Sequence, residues 1–318
     1  MEHASRDREC VEKDEPHMKI LGLQELRFGV SDIETPRLFL RDWNLEPIAG
    51  SNSEIRYTTL DAAEIRLLPE DSRLLPPAVN GECKLREIVW AVDSQAELDK
   101  IAAELSSDRR LIQSADGTIH AVDDSGLGVA FALSALRPLA PAQPLVNFPG
   151  QPRRKNTPVD FTQRPQVRHL GHVAIFVPDL QKAQDFYEKR LGFRASDLYP
   201  GRGVFLRAAG SHDHHNLFLL QRPKGLGFHH MSFEVADFHE VMMGGRYMQK
   251  EGWKSHFGPG RHTLGSNYFW YFALPFEGSC EYYSDMDYLD DDWETRSWDY
   301  SPDIVAAWTA EVAATANQ

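Results

Sequence analysis

The chain has 318 residues, 42% hydrophobic and 25% charged, with a formal net charge of −13. That length allows two domains with separate cores, and the negative charge repels nucleic-acid phosphates and anionic membranes. Three cysteines (Cys10, Cys83, Cys280) without CxxC spacing exclude a disulfide framework.

No apolar run approaches the roughly 18 residues of a membrane span, and the polar start Met1-Glu2-His3-Ala4 is no signal peptide. A cytoplasmic protein with no nucleic-acid or membrane partner is therefore expected. Residues 1–18 mix acids and bases with few apolar residues and read as a disordered extension. A first domain is expected over 19–136, in which Leu26-Arg27-Phe28-Gly29-Val30-Ser31-Asp32 and Arg86-Glu87-Ile88-Val89-Trp90-Ala91-Val92-Asp93 each read as a strand entering a helix. The Pro-rich, basic stretch 137–167 reads as a linker. A second domain covers 168–289. The tail 290–318 combines Asp290, Asp291, Asp292 and Glu294 with Trp293, Trp298, Tyr300 and Trp308. Its expected form is an acidic solvated face with aromatics packed back onto the domain; a lid over the active site is the sharper alternative.

The second domain opens on Gly171-His172-Val173-Ala174-Ile175-Phe176-Val177-Pro178-Asp179, a strand that leads into a helix over 180–191 closed by Gly192. His172, Ala174 and Phe176 share one face of that strand. Fifty-eight positions on (230 − 172) the pattern returns as His230-Met231-Ser232-Phe233-Glu234-Val235-Ala236-Asp237, again with Asp seven residues after His. A self-similar period of this length marks two copies of one supersecondary unit, whose pseudo-symmetry can bring the two histidines face to face. Aligning Asp32 and Asp93 with Asp179 finds the unit twice more in the first domain, with Glu25 and Arg86 at the histidine positions. Asp124-Ser125-Gly126 then matches Phe276-Glu277-Gly278 and sets Val129 against Glu281. Glu25, Arg86 and Val129 make no metal site, so the first domain reads as a structural duplicate without chemistry.

Further on, Gly258-Pro259-Gly260-Arg261-His262 reads as a turn into the aromatic strand 268–272, and Pro275-Phe276-Glu277-Gly278 as a turn into the strand 279–283. Glu281 sits among apolar and aromatic residues, where a carboxylate is costly unless paired or metal-bound. His172, His230 and Glu281 form a candidate set of two imidazoles and one carboxylate, which suits non-haem Fe(II) and accepts Mn(II). Each alone has a plainer reading: a strand histidine is more often a hydrogen-bonded core residue, and Glu281 could lie on an edge strand. In His229-His230 the seven-residue spacing to Asp237 selects His230, leaving His229 to face the other way as packing. In His212-Asp213-His214-His215, a solvated polar turn is the expected state of His212 and His214.

These motifs, with His214-His215-Asn216-Leu217, Phe228-His229-His230-Met231-Ser232-Phe233, Gly260-Arg261-His262-Thr263 and the Pro275, Gly278, Glu281 spacing, resemble the vicinal oxygen chelate superfamily. Within it the likeness is to type I extradiol ring-cleavage dioxygenases. It covers the whole chain by architecture, while only the second domain carries the motifs. The resemblance implies an α+β fold of two domains, each of paired βαβββ modules forming an open barrel. It implies metal ligands His172, His230 and Glu281, an acid/base at His215, a substrate hydrogen bond from Tyr271, and a ring-orienting His262. Ala174 and Ser232 are expected beside the substrate.

The implied reaction is cleavage of an uncharged substituted catechol or polyhydroxylated ring by O2 on Fe(II), with Mn(II) as the alternative metal, in a homo-oligomeric enzyme. Phe257 stands where carboxylate-binding members carry a basic residue, and this favours the uncharged ring. Residues 263–267 depart from the Asn-Asp pair of biphenyl-type members, which leaves the ring substituent open. The competing readings are a glyoxalase-like isomerase or epimerase on the same scaffold, or a non-catalytic aromatic-binding module.

Overall fold

Strand-forming runs rich in Val, Ile, Phe and Tyr, each followed by an amphipathic helix, fold this chain into four βαβββ units. The computed structural model describes residues 18–49, 54–79, 83–143 and 146–311. The 1–18 extension therefore lies, except for Met18, outside the described residues.

The first unit is β1 (Ile20–Val30), α1 (Glu34–Asp42), β2 (Glu46–Ile48), β3 (Ile55–Thr58) and β4 (Glu64–Pro69). The second is β5 (Leu85–Val92), α2 (Gln95–Ser106), β6 (Ile112–Gln113), β7 (Ile119–Val122) and β8 (Gly128–Leu133). They form one sheet of order β2-β3-β4-β1-β5-β8-β7-β6, with β1 and β5 antiparallel at its centre.

The third unit is β9 (His169–Val177), α3 (Leu180–Asp185), β10 (Arg194–Tyr199), β11 (Gly203–Arg207) and β12 (Leu217–Gln221). A π turn over Phe186–Arg190 continues α3, and Gly192 ends it at φ +74°. The fourth unit is β13 (Gly227–Glu234), α4 (Phe238–Lys250), β14 (Ser255–His262), β15 (Tyr268–Ala273) and β16 (Ser279–Ser284). The tail adds β17 (Arg296–Ser297), α5 (Pro302–Val305) and β18 (Ala306–Thr309). The second sheet runs β17-β10-β11-β12-β9-β13-β16-β15-β14-β18, so the tail closes both of its edges. Between the two sheets the 137–167 stretch holds only the isolated bridge Phe148–Gln151 among its described residues. The paired-module α+β architecture implied by the resemblance is the one observed.

Two sequence expectations about these elements change. Gly258-Pro259-Gly260 is not a turn before the strand. It lies inside β14, where the pairing with β15 slips between Phe257 and Gly260, an irregularity that accommodates a residue without an N–H. In the first domain, Arg86 and Val129 are not the equivalents of His230 and Glu281. β5 pairs Arg27 with Glu87 and then Phe28 with Leu85, which makes Arg86 the extra residue of a bulge. β13 pairs Ala174 with His230 and then Ile175 with Phe228, so its bulge residue is His229. Glu87 therefore stands for His230. Because Val89 pairs with Ala130 as Ser232 pairs with Glu281, Ala130 stands for Glu281.

The slip has a simple origin. Asp179 and Asp237 cap α3 and α4 by accepting from the amides of Lys182 and Glu240, whereas the α2 cap is Ser94, one residue past Asp93. At these positions Arg27 places Nη2 2.7 Å from Glu25 and Nη1 2.8 Å from Glu87. A guanidinium thus lies between the two carboxylates.

The two sheets share one core. Trp43, after α1, stacks on Tyr282 of β16 with ring centroids 3.6 Å apart and receives the Tyr282 hydroxyl proton on its carbonyl at 2.7 Å. Such ring pairs contribute about 0.5–1.5 kcal/mol beyond the area they bury. Since strand neighbours alternate, sending Tyr282 into this seam turns Glu281 to the opposite face.

Candidate metal centre

β13 lies between β9 and β16, antiparallel to the first and parallel to the second. Its Ser232 is opposite His172 on one side and Glu281 on the other, so these two flank β13 on one face. His230, two residues before Ser232, shares that face. His172 Nε2 and His230 Nε2 are 3.0 Å apart, and Glu281 Oε2 lies 3.2 Å from the first and 3.7 Å from the second. Backbone fit supports the placement: a Cβ on Gly171 would stand 2.0 Å from the Tyr283 hydroxyl, and Gly278 makes the turn into β16 at φ +67°.

The donor set suits a metal ion. Donors about 2.1 Å from one ion stand roughly 3.0 Å apart at right angles and roughly 3.4 Å apart at tetrahedral angles; the 3.0 and 3.2 Å spacings fall in that range and the 3.7 Å spacing lies just beyond it. All three ligating atoms lie within 4.8 Å of one another. Glu281 is fully buried, and its Oε2 makes no hydrogen bond. Burial alone would raise the Glu281 carboxyl, but the facing imidazoles of His172, His262 and His230 outweigh it and hold it well below the usual range. Burial, and then the neighbouring His229 and His172, push His230 well below an ordinary histidine. An ionised carboxylate and a neutral imidazole are the forms a metal takes.

The other predicted residues gather around this set. Tyr271 on β15 is directly opposite Glu281 on β16. Its hydroxyl is 3.0 Å from His262 Nε2, while His262 Nδ1 donates to the carbonyl of Val305 in the tail at 2.7 Å. Burial first, and then the Glu281 charge, keep the Tyr271 hydroxyl protonated. The His215 ring lies 4.1 Å from the His172 ring, and burial followed by the surrounding imidazoles hold it well below its usual pKa. His172, His215, His230, His262 and Tyr271 all line one cavity of about 750 Å³. Phe176, Phe205, Phe218 and Phe257 add aromatic walls, and among the described residues Arg202 is the single lysine or arginine on its lining. Tyr300 and Val305 also reach the cavity, so the tail contributes to its wall; Trp298 and Ile304 pack back against Tyr199, Phe205 and Leu264.

Three expectations are corrected here. Ala174 and Ser232 are fully buried and lie off the cavity wall, because the strands beside them cover their short side chains. His229 does not face away: the β13 bulge turns it onto the cavity, with its Nδ1 2.6 Å from His230 Nδ1. Since His230 keeps Nε2 free toward the donor set, its Nδ1–H donates to His229. Burial takes His229 down to about 4, so it is a neutral acceptor. His214 is not a solvated turn residue but is fully buried, bonded to Asp197 at 2.8 Å and to His215 at 3.0 Å. Asn267, which donates to Glu281 Oε1 at 3.3 Å, was also missed. No motif flags it, though its place six residues after Arg261 in an aromatic hairpin could have.

Residues 169–282 match the model of the Glyoxalase/Bleomycin resistance protein/Dioxygenase superfamily. The matched stretch holds the two βαβββ units and the buried metal-donor set, and in this it is similar to that superfamily. Among curated proteins the chain is 43% identical over 127 residues to metapyrocatechase 2 of Cupriavidus necator. That stretch covers 40% of this chain and 39% of the relative, so the two match over well under half of either length. The whole fold is similar to the Mn(II)-bound glyoxalase of Novosphingobium aromaticivorans, with TM-score 0.72, 21% identity and 93% of each chain covered. It is equally similar to homoprotocatechuate 2,3-dioxygenase of Arthrobacter globiformis, with TM-score 0.72, 18% identity, and 93% and 90% covered.

Proposed function

We propose that this chain is an extradiol dioxygenase that opens an uncharged substituted catechol or polyhydroxylated ring, adding both atoms of O2. The observation that carries this reading is the meeting of two imidazoles and one carboxylate with His215, His262 and Tyr271 on one aromatic-walled cavity. The metal would be Fe(II) held by His172, His230 and Glu281, with Mn(II) accepted by the same donors. Bound there, it would supply a Lewis acid that lowers the pKa of the diol and leaves open positions for diol and O2.

The protein's own groups do the rest. His215, neutral and within reach of the diol, takes and returns a proton; such a positioned group typically contributes ~100- to 10,000-fold. Tyr271 donates to a substrate oxygen, and His262 orients the ring. Phe176, Phe218 and Phe257 exclude water and favour an apolar substituent. Balance needs nothing more: the ring supplies the electrons that reduce O2, and both oxygens remain in the ring-opened product. The kinship with metapyrocatechase 2 supports this reading over an isomerase or a binding module. The same reading takes the enzyme as a cytoplasmic homo-oligomer with no nucleic-acid or membrane partner. No helix among the described residues is long and apolar enough to cross a membrane.

The test is O2 uptake by Fe(II)-reconstituted protein with a panel of substituted catechols. Uptake matched one-to-one by a yellow ring-opened product is expected. No uptake by protein holding stoichiometric metal would overturn the reading in favour of isomerase or epimerase chemistry.

A further inference from the structure

Behind His215, on the side away from the metal donors, is a polar chain that the proposed reaction does not use. Asp197 on β10 is fully buried and accepts four hydrogen bonds. His214 Nε2 reaches its Oδ2 at 2.8 Å. Arg296 of the tail grips both oxygens, Nε at 2.9 Å and Nη2 at 2.8 Å, and the Trp298 indole donates at 2.9 Å. His214, itself fully buried, sets Nδ1 3.0 Å from His215 Nδ1, with the two rings 89° apart.

With one hydrogen on each imidazole, the donors and acceptors along this chain have one consistent order. A carboxylate only accepts, so His214 Nε2 carries a hydrogen. The Arg296 guanidinium already sits on both Asp197 oxygens, and a His214 tautomer with its one hydrogen on Nε2 leaves Nδ1 bare. That bare nitrogen faces His215, whose Nδ1 must then carry the hydrogen. The His215 lone pair is left on Nε2, which has no hydrogen-bond partner among the described residues, on a ring that lines the cavity. We propose that Asp197 and His214 are positioning residues that lock His215 in the tautomer presenting a bare Nε2 to the substrate, with Arg296 and Trp298 of the tail completing the lock.

This rests on the dioxygenase reading, so the test has an arm that needs no turnover. Long-range nitrogen–proton NMR of the full chain, freed of paramagnetic metal, reads the His215 tautomer directly. The expected pattern is a hydrogen on Nδ1; a hydrogen on Nε2 in the unmutated protein would overturn the inference whether or not any catechol is cleaved. Asp197→Asn lets an amide N–H face His214 Nε2, which reverses the order along the chain. It should move the His215 hydrogen to Nε2 and lower kcat by roughly 100- to 10,000-fold at unchanged KM and metal content. An unchanged tautomer in that variant, or a fall in metal content that accounts for the lost rate, would overturn it. Should Asp197→Asn fail to fold, the spectrum of the unmutated chain still decides.

Discussion

His230 owes its aim to the residue beside it. The bulge at His229 gives the ligand a hydrogen-bond partner for Nδ1 that a regular strand would have sent to the opposite face. Partners of this kind fix the orientation of a metal-bound imidazole, and their loss typically weakens metal affinity ~10- to 100-fold. His230→Ala should abolish metal retention, whereas His229→Ala should retain metal with affinity reduced by about that factor; metal titration of both variants checks this. His215→Asn should keep stoichiometric metal and lower kcat by ~100- to 10,000-fold, read by metal analysis beside O2 uptake. The meeting of His172 and His230 was legible because one sequence pattern occurs twice, and a repeat links residues far apart in the chain. Asp197, His214 and Asn267 were not, since an acidic, histidine or asparagine residue in a loop or hairpin looks the same in sequence whether solvated or buried in a network.

Among elements, the clearest contrast is between equivalent strands of the two sheets. β1 carries Arg27 where β9 carries Ala174, and Arg27 pairs with Glu25 and with Glu87, which is 1% exposed. His120 also reaches Glu87 at 2.8 Å. Removing one partner of such a network leaves buried charge unmatched, and Arg27→Ala should destabilise the protein by about 3–5 kcal/mol. Denaturant unfolding should record that loss while metal content stays unchanged. The strands β1, β5, β9, β13, β15 and β16 followed from apolar runs and turn residues. Register did not, because a one-residue bulge moves every later side chain to the other face and leaves no mark in composition. Only the helix caps, Ser94 against Asp237, carried that information.

At the scale of the molecule, the two sheets are joined by a charged clamp as well as by aromatic rings. His169, at the start of β9, sets Nδ1 2.5 Å from Asp61 of the first sheet's units, and its Nε2 lies 3.6 Å from Asp213. Burial opposes its charge, but Asp213 and Asp61 prevail and raise it well above an ordinary histidine. A raised folded-state pKa gives stability that is complete below the unfolded value, about 6.5, and fades as pH climbs toward the folded one. His169→Gln should therefore lower Tm most near neutral pH or below, with the gap to the unmutated protein closing in alkaline buffer; a gap constant from pH 6 to 10 would contradict the clamp. The Arg27 guanidinium has a consequence at this scale too. The first sheet carries its central cation as part of its own covalent chain, while the second offers a donor set for one drawn from solution. Since the two sheets share one core, metal scarcity would leave the whole chain assembled, and the supply of ions would govern how much protein works rather than how much protein survives.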